Sequence, residues 1–93
     1  MQHETIDTAT RIKSWMVAYM ADVLDIPQTD IDPSLPFDQY GLDSAATVAF
    51  TSDLSNHLGV KLDSRLMAEY DTVDRVAAHL GPELESRGGT IPA

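Results

Sequence analysis

The sequence contains no cysteine, which is the first constraint on what the protein can do. Without thiols it can have no disulfide framework, no thiolate metal site and no cysteine nucleophile, and it suits a reducing compartment. No apolar run approaches the ~20 residues that span a bilayer, and the N-terminal residues lack the basic start and apolar stretch of a signal peptide. We therefore expect a cytoplasmic protein without a membrane anchor.

Basic residues are also scarce. The 93 residues include 6 Lys and Arg against 15 Asp and Glu, which gives a formal net charge of −9. Phosphate backbones and anionic membranes would repel such a chain, so we expect neither nucleic acid nor membrane as a partner. The length corresponds to one small domain, whose 43% hydrophobic share supports a modest core, and we expect a monomer.

The spacing of apolar residues predicts two long helices in the first two thirds of the chain. In the first helix, between residues 7 and 24, the apolar side chains recur every three or four positions: Ile12, Met16, Tyr19, Met20 and Val23. The second helix is predicted over residues 44–58 and is followed by Gly59. Its apolar stripe repeats every four residues: Ala46, Phe50, Leu54 and Leu58.

Two further helices complete the prediction. Residues 62–70 allow one or two turns of a short third helix, and a fourth begins behind Asp71-Thr72 and stops before Gly81-Pro82. The fourth helix has its own apolar stripe: Val73, Val76, Ala77 and Leu80. No alternating strand pattern competes. The predicted fold is all-α, a four-helix bundle with three longer helices, a short helix three and a long loop between helices one and two.

That loop, residues 25–43, is irregular and rich in proline and aspartate. Its apolar residues are expected to reach the core: Ile26, Ile31, Leu35 and Phe37. Outside the bundle, we expect residues 1–6 to be an N-terminal extension, residues 7–81 the domain, and residues 82–93 a disordered tail or linker.

Catalysis by the chain itself is not expected. A serine nucleophile needs a base within hydrogen-bonding distance, yet thirteen positions on one helix, roughly 20 Å, separate Ser44 from His57. A calcium loop opening at Asp30 fails at its sixth and twelfth places, which are Leu35 and Gly41 instead of Gly and Glu. We therefore assign no catalytic residue and no metal site.

The informative segment is residues 38–44, where the long loop ends on a serine that opens a helix. A helix cap is one explanation, because an Asp or Ser side chain satisfies an unpaired backbone N–H. Covalent attachment is the other, because an exposed hydroxyl beside the positive end of a helix dipole favours a phosphodiester. The residues alone leave both explanations open.

Gly41-Leu42-Asp43-Ser44 resembles the attachment motif of acyl carrier proteins of the polyketide-synthase type. Three further blocks resemble that family in order and spacing across residues 8–80: Ile31-Asp32 with Pro36-Phe37 and Tyr40, Leu58-Gly59, and Glu69-Tyr70-Asp71-Thr72-Val73. The resemblance implies a four-helix bundle that performs no chemistry itself. It also implies a 4′-phosphopantetheine arm from coenzyme A, whose thiol holds acyl groups as thioesters.

The resemblance assigns roles to single residues. Ser44 is implied to carry the arm. The expected partner contacts surround it: Asp43, Leu42, Ala45 and Val48. Leu42 is also expected to pack under the loop, and Val48 lies one turn beyond Ser44 on the same helix face. Two positions depart from the family, since Ala45 stands where many carriers have Leu or Met and Asp71 replaces a common proline. Asp71 could still cap the fourth helix.

The segment Leu62-Asp63-Ser64 repeats three letters of the attachment motif. It lacks the glycine and the long preceding loop, and the helix that it would open is too short to match the family's second helix. Ser64 is therefore predicted to be a helix cap.

The implied partners are a phosphopantetheinyl transferase, an acyl-loading enzyme and polyketide synthase domains. Residues 40–59 are similar to carriers charged by fatty-acyl-AMP ligases, which makes such a ligase the candidate loading enzyme. Residues 14–60 contain seven aspartates and no Lys or Arg, a pattern that suits either docking onto basic patches or a generally solubilising surface. Two alternatives stay open: a peptidyl carrier of nonribosomal peptide synthesis, against which Asp43 argues, and an unmodified helical interaction module.

Overall fold

Four α-helices and two 3₁₀ turns make up the regular structure in the computed structural model, which describes residues 7–86. The helices are α1 (Thr8–Leu24), α2 (Ser44–Leu58), α3 (Leu66–Glu69) and α4 (Val73–Ser86), and the 3₁₀ turns are Gln28–Asp30 and Phe37–Tyr40. No strand occurs within that range, so the predicted all-α four-helix bundle is confirmed. None of its helices combines the length and the apolar character needed to cross a bilayer.

Helix α1 supplies one wall of the core. It begins where Asp7 caps it, with the Asp7 carboxylate accepting from the Thr10 N–H at 2.8 Å. The predicted stripe is buried at Ile12, Met16 and Met20. Val23 departs from the prediction, because its side chain is 54% exposed. Val23 borders an apolar hollow to which α2 contributes the small side chains of Ala46 and Ala49, and these leave Val23 uncovered.

An aromatic stack joins α1 to α2. The rings of Tyr19 and Phe50 are parallel with centroids 4.4 Å apart, and Trp15 stacks on His57 at 4.8 Å. The Tyr19 hydroxyl donates to the Asp53 carboxylate at 2.7 Å. These pairings make the two helices antiparallel, so the beginning of α2 lies beside the end of α1.

The long loop between α1 and α2 is tied to the start of α4. The Phe37 N–H donates to the Asp71 carbonyl at 2.9 Å, and the Asp74 N–H donates to the Pro33 carbonyl at 3.0 Å. Ile31 and Phe37 are buried, as predicted, and Ile26 is partly buried against the core. Leu35 was expected in the core but is 41% exposed, because it lies in the turn between the two anchored points.

Helix α4 runs further than predicted. The expected stop at Gly81-Pro82 is wrong, because α4 continues through Pro82 to Ser86. The missing N–H of proline costs a helix one hydrogen bond, and tertiary contacts beyond Pro82 offset this cost. Leu84 is buried, and the Glu85 carboxylate accepts from the Thr8 N–H at 3.2 Å. Residues 82–86 therefore pack on α1, whereas the expected extension at 1–6 and the rest of the expected tail, 87–93, lie outside the described residues.

Candidate functional site

A sharp turn delivers the chain into α2. After the 3₁₀ turn Phe37–Tyr40, Gly41 adopts φ 78°, and its N–H donates to the Asp38 carbonyl at 3.0 Å. A side chain at this φ would be strained, so glycine is the residue that permits the turn. The Leu42 N–H then donates to the Phe37 carbonyl at 3.3 Å. Two backbone hydrogen bonds therefore fix the turn before α2 begins.

Asp43 caps α2. Its carboxylate accepts from the Ala46 N–H at 2.9 Å, and its carbonyl accepts from the Thr47 N–H at 2.9 Å. Ser44 is the first residue of the helix proper. Of the two sequence explanations for Ser44, the cap is therefore excluded, because its neighbour performs that task.

The Ser44 hydroxyl is exposed and makes no hydrogen bond to any residue from 7 to 86. It lies at the positive end of the α2 dipole, where the N–H groups of Ser44 and Ala45 have no acceptor in the same range. A phosphate attached to this oxygen would be stabilised by those groups. The residues present therefore fit a phosphodiester-linked arm.

An open groove of about 280 Å³ adjoins Ser44. Loop, α2 and α3 contribute its walls, which include Asp38, Leu42, Thr47, Met67 and Asp71. Sequence reasoning did not single out Thr47 or Met67 for this site. Thr47 lies one turn into α2, so helical spacing could have identified it. Met67 lines the same groove as Ser44 only because of how α3 packs, which spacing in the sequence does not reveal.

The remaining predicted site residues have distinct environments. Leu42 is partly buried against the core, Asp43 and Ala45 are exposed, and Val48 is 46% exposed. The exposed side chains of α2 between Ser44 and Asp53 are thus small and uncharged. Asp53 itself is held by the Tyr19 hydroxyl.

Two hydrogen-bonded groups near the site have shifted pKa values. Burial, together with the hydrogen bond to Asp53, raises the pKa of Tyr19 to about 12. The Ser34 hydroxyl and N–H both donate to Asp32 and lower the pKa of that carboxyl. The Tyr40 hydroxyl accepts from the Asp32 N–H and donates to the Asp32 carbonyl. These hydrogen bonds hold two parts of the loop together close to Gly41.

The residue at the start of α4 corrects one expectation. Thr72, rather than Asp71, caps the first turn, because the Thr72 hydroxyl oxygen accepts from the Arg75 N–H at 3.0 Å. The Asp71 carboxylate instead pairs with the Arg75 guanidinium at 2.8 Å.

The expectation for Ser64 is also corrected. The capping residue of α3 is Arg65, without a side-chain hydrogen bond, and the N–H of Arg65 donates to the Asp63 carboxylate at 2.8 Å. Ser64 is an exposed serine in the turn before the helix.

No group of three or more His, Cys, Asp or Glu residues within 7–86 is arranged to hold a metal ion. The ring of His57 lies against Trp15 and that of His79 against Tyr70, with centroids 4.8 Å and 4.2 Å apart. Both imidazoles thus serve in aromatic packing.

Comparison with known proteins gives a consistent match. The family described as "Phosphopantetheine attachment site" matches residues 14–80. The acyl carrier protein TtuC of Teredinibacter turnerae is 38% identical over 66 residues, which cover 71% of this chain and 76% of TtuC. The polyketide synthase ThaG of Burkholderia thailandensis is 30% identical over 79 residues, 85% of this chain but 1% of that protein.

Among solved structures, a free-standing peptidyl carrier protein from Acinetobacter baumannii aligns with a TM-score of 0.75 and 28% identity. The alignment covers 84% of this chain and 96% of that one. Because this solved structure is named for peptidyl cargo and TtuC for acyl cargo, likeness to known carriers does not by itself identify the cargo.

Proposed function

Because the chain belongs to the family of phosphopantetheine attachment domains, we propose that Ser44 is its attachment residue. The chain is an acyl carrier protein of the polyketide-synthase type, a covalent substrate shuttle rather than a catalyst. Its cofactor is 4′-phosphopantetheine, whose thiol holds the acyl group as a thioester. The observation that supports Ser44 most directly is its exposed hydroxyl at the start of α2, which bonds to none of residues 7–86 and follows a residue that already caps the helix.

The chemistry asked of Ser44 is small. The Ser44 oxygen forms an ester bond to the phosphorus of coenzyme A that bears pantetheine, and the serine proton is released. The bond from that phosphorus to the bridging oxygen breaks, and 3′,5′-adenosine diphosphate leaves with that oxygen. A separate transferase catalyses this step, so the chain has to present the oxygen without competing hydrogen bonds. The turn at Gly41 and the cap at Asp43 do so, and the free N–H groups of Ser44 and Ala45 stabilise the resulting phosphodiester.

Carriers of this family work with phosphopantetheinyl transferases and polyketide synthase domains. For this chain we propose contacts through Leu42, Asp43, Ala45 and Val48. The exposed Ala45 and Val48 offer a small apolar surface directly beyond Ser44, and neither would obstruct an approaching enzyme. A fatty-acyl-AMP ligase is our candidate for the loading enzyme, supported by the likeness of residues 40–59 to carriers that such ligases charge. The absence of cysteine supports a cytoplasmic location.

The intact mass of the chain tests the attachment. Wild type, Ser44→Ala and Ser64→Ala are incubated with coenzyme A, magnesium and a permissive phosphopantetheinyl transferase. Ser64 is a matched control, because it is also an exposed serine that follows Leu-Asp. We expect one phosphopantetheine increment in wild type and Ser64→Ala, and none in Ser44→Ala. An increment that persists in Ser44→Ala would contradict the assignment.

The peptidyl alternative is separated by cargo. The modified chain is offered to a fatty-acyl-AMP ligase and, separately, to an amino-acid-activating enzyme, and the mass of each product identifies what was loaded. We expect an acyl product. Efficient loading of an amino acid, and of no fatty acid, would favour the peptidyl carrier instead.

A further inference from the structure

A second groove lies between α2 and the segment 61–64 that follows it, and it shares no lining residue with the groove that adjoins Ser44. We call it the Lys61 groove; the residues that line it include Val48, Ser52, Ser55, Asn56, Lys61 and Ser64. Its volume of about 360 Å³ lies at the lower end of the range of about 300–1,000 Å³ typical of small-molecule sites. The apolar hollow between α1 and α2 has about 110 Å³ and falls well below that range.

The far wall of the Lys61 groove is fixed to α2. The Ser55 hydroxyl donates to the carbonyl of Val60, the residue before Lys61. The segment that carries Lys61 is therefore held beside the last turns of α2, and the groove does not depend on a free loop.

The groove offers hydrogen-bond donors that are not in use. The side chains of Ser52, Asn56 and Ser64 are exposed and make no hydrogen bond to any residue between 7 and 86. The Lys61 ammonium forms no ion pair in that same range, and Lys61 is the sole Lys or Arg in residues 14–64. Within residues 14–64, an anion would therefore meet a positively charged side chain at this groove.

The groove beside Ser44 has the opposite character. Three carboxylates line it, at Asp38, Asp43 and Asp71, and its open volume is smaller. A negatively charged group would be repelled there and attracted at Lys61. The two grooves therefore differ in the charge of the cargo that they would accept.

The Lys61 groove lies within reach of the attachment residue. Val48 and Ser55 follow Ser44 on nearly the same face of α2, one and three turns further along. Ser55 is eleven residues from Ser44, roughly 16 Å at the helical rise of 1.5 Å per residue. An extended arm of about 14 bonds spans about 17 Å at the ~1.2 Å per bond of an extended chain. The thioester end of the arm would thus come to the level of Ser55 and Lys61.

We propose that the Lys61 groove receives the far end of the cargo, and that the cargo it selects is an acyl chain with a free carboxylate. The carboxylate pairs with the Lys61 ammonium, and Ser52, Asn56 and Ser64 donate to its oxygens or to the thioester carbonyl. Leu62, which lines the groove beside Lys61, covers the methylene groups between them. This inference rests on the proposed attachment at Ser44.

Two cargoes of equal carbon number test the proposal. The ¹⁵N-labelled chain is modified with succinyl-coenzyme A or butyryl-coenzyme A by a permissive transferase, and the intact mass establishes loading. Amide spectra of both forms are then compared with the form that carries the unacylated arm. We expect the succinyl form alone to shift the amide resonances of Ser52, Asn56 and Lys61, and the shifts to shrink as salt screens the pair.

Two variants assign the effect. Lys61→Gln removes the charge and should abolish the succinyl-specific shifts. Lys13→Gln is the control, because Lys13 of α1 pairs with Asp74 of α4 and neither residue lines the groove, so the shifts should remain. Equal shifts with butyryl, or shifts that survive Lys61→Gln, would overturn the proposal. Failure to gain mass at all would instead contradict the attachment at Ser44.

Discussion

Asp43 and Ser44 are adjacent residues, and the sequence alone does not tell which of them caps α2 and which is left free for attachment. Both residue types are common helix caps, and either could have satisfied the free N–H groups of α2. The structure gives the cap to Asp43, because its carboxylate reaches the Ala46 N–H at 2.9 Å. The Ser44 hydroxyl is left exposed and available for chemistry. Conformational stability and presentation of the hydroxyl can therefore be changed independently.

This division predicts effects of different size on stability for two alanine substitutions. Asp43→Ala should lower the free energy of unfolding by about 1 kcal/mol, the usual cost of a lost cap. Ser44→Ala should change it by less than about 0.5 kcal/mol, as for a surface residue without partners. Urea unfolding followed by circular dichroism measures both, and Asp43→Asn, which can still cap, should stay near wild type. A loss for Ser44→Ala as large as that for Asp43→Ala would show that Ser44 caps after all.

Tyr19 gives a pH-dependent prediction. Burial and the Asp53 carboxylate raise the pKa of Tyr19 from 10.0 to about 12, so the folded state favours the protonated phenol. The stability that this provides is fully present below the unfolded pKa of 10.0 and is lost as the pH rises towards 12. We expect wild type to lose more unfolding free energy than Tyr19→Phe between about pH 10 and pH 12. Parallel curves for the two proteins would contradict this account.

Among the helices, the apolar periodicity predicts the bounds correctly where local sequence signals mark both ends. The second helix begins and ends where its stripe and Gly59 predict, over Ser44–Leu58. The end of α4 was missed, because Gly81-Pro82 is a strong local stop signal. The contacts that override it come from α1, more than seventy residues away in sequence. Val23 and Leu35 were misplaced for a related reason, since what covers an apolar side chain depends on its tertiary neighbours.

Gly81 lets α4 approach α1 closely. A Cβ added at Gly81 would lie 2.8 Å from the Ala9 Cβ, with Ala9 backbone atoms at 3.0 and 3.1 Å. Gly81→Ala should therefore destabilise the protein by about 1–3 kcal/mol, as overpacking does, although alanine is the better helix former.

Ala9→Gly provides the test of the Gly81 prediction. In Gly81→Ala the shortest contact is with the Ala9 side chain, so the double variant with Ala9→Gly should be destabilised by less than the sum of the two single effects. Thermal unfolding of the two single variants and the double variant gives the coupling between the positions. Additive effects would mean that the helices separate without conflict, and would contradict the close packing.

Over the molecule as a whole, charge is unevenly distributed around Ser44, the proposed attachment residue. The antiparallel packing of α1 and α2 brings the end of α1, with Asp22 and Asp25, beside the start of α2. Asp38 and Asp43 lie on the same side of the molecule, next to Ser44. Arg11 and Lys13 are in the first half of α1, towards the opposite end. The negative end would therefore lead as the carrier approaches a basic enzyme surface.

This asymmetry predicts salt-sensitive modification of Ser44. Exposed charges are screened over about 10 Å at 0.1 M ionic strength, so the kcat/KM of a transferase with a basic docking surface should fall as salt is added. Asp38→Asn removes one charge beside Ser44 and should lower kcat/KM at low salt by about two- to fivefold, the factor that 0.5–1 kcal/mol gives. Glu83→Gln is the matched control, because Glu83 is an exposed acid near the end of α4, where that helix packs on the start of α1. Equal losses in the two variants would mean that net charge, and not its position around Ser44, governs the encounter.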